Sequence, residues 1–289
     1  MDLRVLGMGL AFAVMWSSAF TSARIIVAAA PPLTALGLRF LISGLLGVLI
    51  ALALGQSWRL TRPQWRATII FGVCQNALYL GLNFVAMQTI EASLAAIIAS
   101  TMPLLVGFFA WTFMGERLSR IGILGLFAGL GGVAIIMGAR FQGGMDLYGV
   151  LLCVIAVFAL AFATLSVRGA ASGGNFLMVV GLQMMVGAAI VGPLGLMIEP
   201  FDVTWSWQLV AAFLYTTLIP GLVATLVWFL LVERIGATRG ATFHFLNPFF
   251  GVAIAAALLG EALRLWDLIG VLVIMGGILA VQLSRQRVV

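Results

Sequence analysis

Charged residues are scarce in this sequence: Asp, Glu, Lys and Arg make up 8% of the 289 residues, against 63% hydrophobic residues. Soluble domains carry about 25% charged residues, because a surface that faces water needs them. The composition therefore disfavours a soluble enzyme, a nucleic-acid-binding protein and a secreted disulfide scaffold. It is typical of a chain that lies mostly inside a lipid bilayer.

Lysine is absent and cysteine is rare. All fifteen basic residues are arginine, and they stand singly or in small groups between apolar runs, which indicates membrane topology rather than a nucleic-acid surface. Cys74 and Cys153 lie within apolar runs, where cysteine behaves as a small hydrophobic residue. Their spacing provides neither a disulfide framework nor a metal-ligand motif, so we expect no metal and no cofactor.

Apolar runs divide the chain into ten predicted helices, separated by arginine, proline and glycine. Each is close to the roughly 20 residues that span a bilayer. The predicted spans are 4–29, 32–54, 65–87, 92–114, 121–139, 147–168, 175–197, 207–231, 238–258 and 266–284. A signal peptide is the alternative for the first run, but its length and the internal Arg24 argue against it.

Arginines are unequally distributed between the two sides of these spans. With the N-terminus in the cytoplasm, eleven fall inside and four outside: Arg24, Arg39, Arg140 and Arg264. Because cytoplasmic loops are rich in basic residues, both termini are predicted to be cytoplasmic. We expect a multi-pass protein in the lipid bilayer of a bacterial-type inner membrane.

The chain contains an internal repeat. A shift of 145 residues aligns 84–132 with 229–277 without a gap, and twelve of the 49 positions are identical. Each half then holds five helices, and an odd number inverts the second half relative to the first. We therefore predict an all-α membrane protein of two inverted five-helix repeats, residues 1–140 and 141–289, around a central cavity.

Several short motifs resemble the EamA family of the drug/metabolite transporter superfamily. The run Trp16-Ser-Ser-Ala-Phe resembles the first helix of an EamA domain, and Arg39-Phe resembles part of its second. Pro103, followed by the turn at Gly115-Glu116, resembles the fourth helix, and the region around Pro248 repeats this signature. Over the whole chain the order of motifs is most similar to the YddG-type aromatic amino acid exporters.

The resemblance implies a basket of ten helices that works by alternating access. The substrate would lie between the halves, walled by helices one, three, four, six, eight and nine. The cargo would be amino acids, aromatic and other neutral ones, or related small metabolites. The second half departs from the pattern, because its first helix has no Trp-Ser-Ser counterpart.

Polar side chains inside the predicted spans are candidates for substrate binding, because such groups point toward protein or water. Asn76, Tyr79 and Asn83 follow one stripe of the third helix and predict a cavity wall that offers amide and hydroxyl groups to a zwitterion. Interhelical hydrogen bonding is the alternative role. Trp16 and Ser17 lie deep in the first helix, either on the substrate path or in plain packing.

The ninth helix carries the single histidine, His244, and Asn247 one turn later; we predict substrate contacts from both. Histidine titrates near neutral pH, which also suits a proton relay. Pro103, Pro220 and Pro248 each remove a backbone donor, and we predict kinks that act as gating hinges. Glu116 and Glu261 follow helix exits, where a structural role in the turn is favoured.

No predicted span carries Asp or Glu near its centre, and no catalytic constellation is present, so neither an enzyme nor a carboxylate-based antiporter is favoured. Arg39 is the only arginine well inside a span, and its place toward the outer end disfavours a site for phosphate esters. We therefore expect facilitated or weakly coupled export of a small zwitterion. The alternatives are a proton-coupled multidrug or metabolite antiporter and a nucleotide-sugar or phosphate-ester transporter. The sequence allows a monomer without setting the oligomeric state.

Overall fold

The computed structural model describes residues 2–141, 144, 146–166, 174–236 and 240–286. Within these ranges the regular structure is all helical, and ten helices are long and apolar enough to cross a membrane. They are α1 Leu3–Val27, α2 Pro32–Ala53, α3 Arg62–Ala86, α4 Ala92–Phe113, α5 Arg120–Phe141, α6 Leu147–Ser166, α7 Phe176–Ile198, α8 with the segments Trp207–Leu218, Ile219–Val223 and Ala224–Ile235, α9 Ala241–Leu259 and α10 Leu265–Gln286. The predicted all-α polytopic fold is confirmed, and its helix ends shift by a few residues.

Exposed tryptophans mark both ends of the helix bundle. Trp58 and Trp65 lie at the end where α2 stops and α3 starts, and Trp205, Trp207 and Trp266 lie at the opposite end. Tryptophan prefers the boundary between lipid and water, because its ring is apolar while its N–H needs a polar partner. Between these levels the exposed side chains are largely leucine, isoleucine and phenylalanine, as expected for a surface that faces lipid.

Two helices depart from α-helical hydrogen bonding at corresponding places. A π-helical segment runs over Gly72–Leu80 in α3 and over Ile219–Val223 in α8. The 145-residue shift carries 72–80 onto 217–225, so the two segments overlap in the repeat. In α8 the cause is Pro220, which has no N–H to complete the regular ladder. π-Helical turns are frequent at functional sites, because they change the direction of side chains.

Helices α4 and α9 are both broken one third of the way along. In α4 the break falls between Ala92–Ala99 and Met102–Phe113, and in α9 a 3₁₀ segment, Ala241–Leu246, precedes Asn247–Leu259. Pro103 and Pro248 each stand in the first turn of the later segment, where a missing N–H costs least. Both helices are therefore interrupted next to these prolines, while kinks that act as gating hinges stay a prediction.

Helices related by the repeat also pack on each other, as α5 and α10 show. A β-carbon on Gly277 of α10 would lie 2.7 Å from the Cα atom of Gly129 in α5 and 2.5 Å from the carbonyl oxygen of Gly125. No side chain fits at that distance, so glycine is required for the two backbones to approach. The Gly125-x-x-x-Gly129 pattern thus serves helix packing.

Carboxylates tie helices together at the end predicted to face outward. Glu261, after α9, accepts hydrogen bonds from the backbone N–H groups of Ala92 and Ser93 at 2.7 and 3.0 Å, and so caps α4. In the same region the buried Arg140 of α5 donates two hydrogen bonds to Asp267 of α10, at 3.0 and 2.8 Å. Both contacts join α4 and α5 of the first half to the second half.

Candidate functional site

Two cavities lie between the halves of the described chain. The larger has a volume of about 70 Å³ and the smaller about 10 Å³. A water molecule needs about 10–15 Å³ by this kind of measure, so the first holds several waters or part of a small solute and the second about one water. Trp16, Phe20 and Tyr79 contribute to both, so these three aromatic side chains separate the cavities.

The larger cavity combines aromatic rings with neutral polar groups. Its rings come from α1, α2 and α3 and include Phe40 and Phe84. Its neutral polar side chains lie on α3, α7 and α8: Gln75, Asn76, Tyr79, Asn83, Gln183 and Thr225. Amide and hydroxyl groups bind both the ammonium and the carboxylate of a zwitterion, while aromatic rings cover an apolar side chain.

The predicted stripe on α3 is buried, and its members differ in how much hydrogen-bonding capacity they have left. Asn83 donates through Nδ2 to the Tyr79 carbonyl at 2.7 Å and accepts from the Cys153 thiol at 3.3 Å. Asn76 donates through Nδ2 to the Gln183 carbonyl at 2.8 Å, which ties α3 to α7. The Tyr79 hydroxyl has no hydrogen bond to any described residue. The Tyr79 hydroxyl is therefore available to a ligand, as is the Oδ1 atom of Asn76, for which no described partner is found.

Arg39 lines the larger cavity, a position that sequence reasoning did not give it. Its Nε donates to the Thr216 carbonyl at 3.2 Å, and one turn later Ser43 donates to the Thr217 carbonyl at 3.1 Å. Pro220 lies four residues after Thr216 and has no N–H to offer that carbonyl. The sequence placed Arg39 toward the outer end of α2, which disfavoured a phosphate-ester site; in the structure Arg39 is 5% exposed and borders the larger cavity.

The smaller cavity contains the other predicted contacts. Ser17, His244 and Asn247 border it, together with Pro103. The Ser17 hydroxyl donates to the Asn247 carbonyl at 3.2 Å, and the Asn247 amide lies 2.9 Å from Nδ1 of His244. The Oδ1 atom of Asn247 is buried and has no hydrogen-bond partner among the described residues. A water or a ligand atom in this cavity would satisfy it.

Aromatic side chains surround His244. Its ring centroid lies 5.3 Å from those of Phe12 and Trp228 and 6.2 Å from that of Trp16. The Trp16 and His244 rings meet edge to face, at an interplanar angle of 89°. Trp16 therefore connects the aromatic cluster around His244 with the larger cavity.

The cavity walls include helices that the resemblance did not imply. Helices α2 and α7 border the larger cavity through residues 39–40 and 183–184. The 145-residue shift aligns Arg39 with Met184, so two positions related by the repeat border the same cavity. α6 contributes Leu160 to the smaller cavity. Of the predicted hinge prolines, Pro103 and Pro220 border a cavity, whereas Pro248 lies beside Asn247 without doing so.

Acidic side chains are missing from the walls of both cavities, as far as the described residues extend. Within the same ranges, no three His, Cys, Asp or Glu side chains come close enough to hold a metal ion. Arg39 is therefore the one formally charged side chain at the larger cavity, whose other polar groups are neutral.

A family model described as "EamA-like transporter family" matches the chain twice, over residues 3–138 and 147–283. The uncharacterized transporter YvbV of Bacillus subtilis (strain 168) is 30% identical over 274 residues, which cover 94% of this chain and 90% of YvbV. The aromatic amino acid exporter YddG of Ancylobacter novellus is 30% identical over 115 residues, 40% of each chain.

The fold itself recurs in a solved structure. A crystal structure superposes with a TM-score of 0.71 over 99% of both chains, at 22% sequence identity, which shows a shared fold. The family model covers nearly the whole chain in two matches, and each match contains five of the ten helices. The chain belongs to the EamA-like transporter family.

Proposed function

We propose that this membrane transporter exports neutral amino acids, including aromatic ones, and related small metabolites out of the cytoplasm by alternating access. The observation that carries the proposal is the larger cavity, where neutral amide and hydroxyl groups face aromatic rings between the two halves. The YddG exporter supports the same substrate class through its similarity to part of the chain.

Facilitated transport fits the placement of the acidic residues. A proton or sodium antiporter of the usual kind needs an intramembrane carboxylate that binds the ion. The described carboxylates that have partners lie at helix ends, where Glu199, Glu261 and Asp267 hold neighbouring helices. We therefore propose that the gradient of the substrate itself drives export, across a bacterial-type inner membrane with both termini cytoplasmic.

A proton-coupled antiporter is the second candidate, and His244 is the observation that favours it. His244 borders the smaller cavity beside Asn247, so a proton taken up there would lie next to the substrate path. Such a transporter would need a pH gradient, which separates the two candidates.

Counterflow in proteoliposomes tests the proposal. Vesicles loaded with unlabelled phenylalanine are diluted into radiolabelled phenylalanine, leucine or a nucleotide sugar, with and without an ionophore that removes the pH gradient. We expect transient uptake of both amino acids but not of the nucleotide sugar, unchanged by the ionophore. Empty vesicles and the Trp16→Ala variant serve as controls. Uptake of the nucleotide sugar alone would contradict the substrate class, and uptake that disappears with the pH gradient would favour the antiporter.

A further inference from the structure

Arg39 is a buried cation whose charge has no acidic partner among the described residues. It is 5% exposed, and no described carboxylate oxygen lies within ion-pair distance of it. The other buried arginine, Arg140, is 4% exposed and pairs with both Asp267 and Glu91. Burying a charge without a counter-charge is costly, so proteins normally pair such groups. An unpaired arginine beside a cavity indicates that the cavity receives the counter-charge.

The contacts of Arg39 orient its guanidinium and leave its terminal nitrogens available. Nε donates to the Thr216 carbonyl, and Cζ lies 5.5 Å from the centroid of the Phe40 ring. Neither Nη1 nor Nη2 makes a hydrogen bond within the described chain. Gly221, which also borders the larger cavity, lies beside Nη2: a β-carbon on it would be 3.7 Å away, at van der Waals contact. Two parallel N–H groups match the two oxygens of a carboxylate.

We propose that Arg39 binds the carboxylate of the substrate through Nη1 and Nη2, so that the transporter selects carboxylate-bearing compounds over their amides and amines. The inference deepens the proposed function and rests on it. Neutral groups such as the Tyr79 hydroxyl and the Gln183 amide then receive the ammonium group of an amino acid. A purely structural Arg39 would need only its Nε donor, which already joins α2 to α8.

A ligand series on the unmodified protein provides the first test. Uptake of radiolabelled phenylalanine is measured in competition with unlabelled phenylalanine, 3-phenylpropionate, phenylalaninamide and phenethylamine. These compounds share the aromatic ring and differ in the two charged groups. We expect the amide to inhibit about 10- to 100-fold less well than phenylalanine, the range that one charge-assisted hydrogen-bond pair supports. We also expect 3-phenylpropionate to inhibit better than phenethylamine.

Variants of Arg39 provide the second test. We expect Arg39→Gln to raise the half-saturation concentration for phenylalanine about 10- to 100-fold and to abolish the preference over the amide. Arg39→Lys keeps the charge but loses the paired donors, so it should retain part of that preference. Ser43→Ala is the matched control, because it removes the Ser43 hydrogen bond at the same contact of α2 with α8. Ser43 does not border the cavity, so Ser43→Ala should keep the full preference.

Each outcome separates this inference from the proposed function. If amino acids are transported and the amide competes as well as phenylalanine, Arg39 is not the carboxylate site, while the proposed function stands. If Arg39→Gln does not fold, the ligand series on the unmodified protein decides. If no amino acid is transported, the proposed function fails, and thermal stabilisation of the unmodified protein by the same four compounds decides the role of Arg39. Equal thermal stabilisation of the protein by the carboxylates and by the amines would then overturn the proposal that Arg39 binds a carboxylate.

Discussion

At the residue scale, Tyr79 is a buried side chain whose hydroxyl has no partner within the described chain. The residue is 2% exposed, and its hydroxyl makes no hydrogen bond to the described residues. Loss of the hydroxyl would remove no hydrogen bond within the described chain, but it would remove one partner of the proposed substrate. Removing this one oxygen atom, by substitution with phenylalanine, therefore tests the functional role of Tyr79 separately from its packing role.

Tyr79→Phe should lower transport of neutral amino acids about 5- to 100-fold without lowering thermal stability, because a lost hydrogen bond to a buried ligand costs about 1–3 kcal/mol. Counterflow in proteoliposomes and thermal unfolding of the purified variant measure the two effects. Tyr148→Phe, at an exposed position, is the control. Wild-type transport by Tyr79→Phe would show that this hydroxyl does not bind the substrate.

Glu261 illustrates a residue whose importance lies in folding. The sequence favours a role in its own turn, and the structure shows that its carboxylate also caps the start of α4, a distant helix. The preceding glycine has φ of 69°, and so does Gly115 before Glu116. Glycine adopts this left-handed conformation without strain, which explains why both turns contain a glycine before the glutamate.

Glu261→Gln should destabilise the protein by about 1 to 2 kcal/mol, because an amide offers the helix N-terminus one neutral acceptor in place of two charged ones. Glu116→Gln should likewise lower the amount of folded protein. Thermal unfolding in detergent measures both effects. Asp202→Asn, in an exposed loop, serves as the control. A loss of transport by well-folded Glu261→Gln protein would contradict the structural assignment.

At the scale of helices, α8 contains the segment whose backbone departs from a regular α-helix next to the larger cavity. Pro220 lies in its π-helical segment and borders the larger cavity, and the carbonyl of Thr216 is bound by Arg39 from α2. The segment therefore depends on a neighbouring helix for hydrogen bonds that a regular helix makes itself. Such a segment bends at lower cost than an α-helix.

Pro220→Ala should reduce transport about 5-fold while leaving stability equal or higher, because the alanine N–H competes for the Thr216 carbonyl with an energy of about 1 kcal/mol. Initial rates of counterflow and thermal unfolding measure the effect. Pro193→Ala provides the comparison, since Pro193 lies inside α7 and borders neither cavity. A rate unchanged by Pro220→Ala would exclude a gating hinge here.

At the scale of the whole molecule, the inversion of the second half is the central prediction. It follows from five helices per half, and the packing of related helices on each other supports it. Inversion places the two Gly-Glu turns on opposite sides of the membrane. The turn after α4 would face the cytoplasm, and the turn after α9 would face outward.

Single cysteines test this arrangement in a variant without Cys74 and Cys153. An impermeant thiol reagent added to whole cells should label position 262, and also position 142, which lies outside the described residues. It should label position 117 only in inverted vesicles. The physical reason is that basic loops are retained in the cytoplasm. Labelling of 117 and 262 from the same side would disprove the inversion.

The sequence determined the membrane class and the ten spans, since apolar runs of about 20 residues have no other stable place than a bilayer. The family followed separately, from the resemblance of short motifs to EamA domains. The sequence also selected α3 as a polar wall, because Asn76, Tyr79 and Asn83 recur at helical spacing within an apolar run. The contacts of single residues were harder to predict from the sequence. Spacing along one helix describes its faces, but not which neighbouring helix each face meets.

Only the tertiary structure placed Arg39 and Gln183 at the larger cavity and the Glu261 carboxylate at the start of α4. Arg39 looked peripheral because its distance along α2 was known and its neighbours were not. Its contact with Thr216 depends on the crossing of α2 with α8, 177 residues later in the chain. The cap formed by Glu261 likewise joins residues 169 positions apart. Such contacts depend on how helices cross, and helix crossing depends on close-packed surfaces that no local pattern encodes.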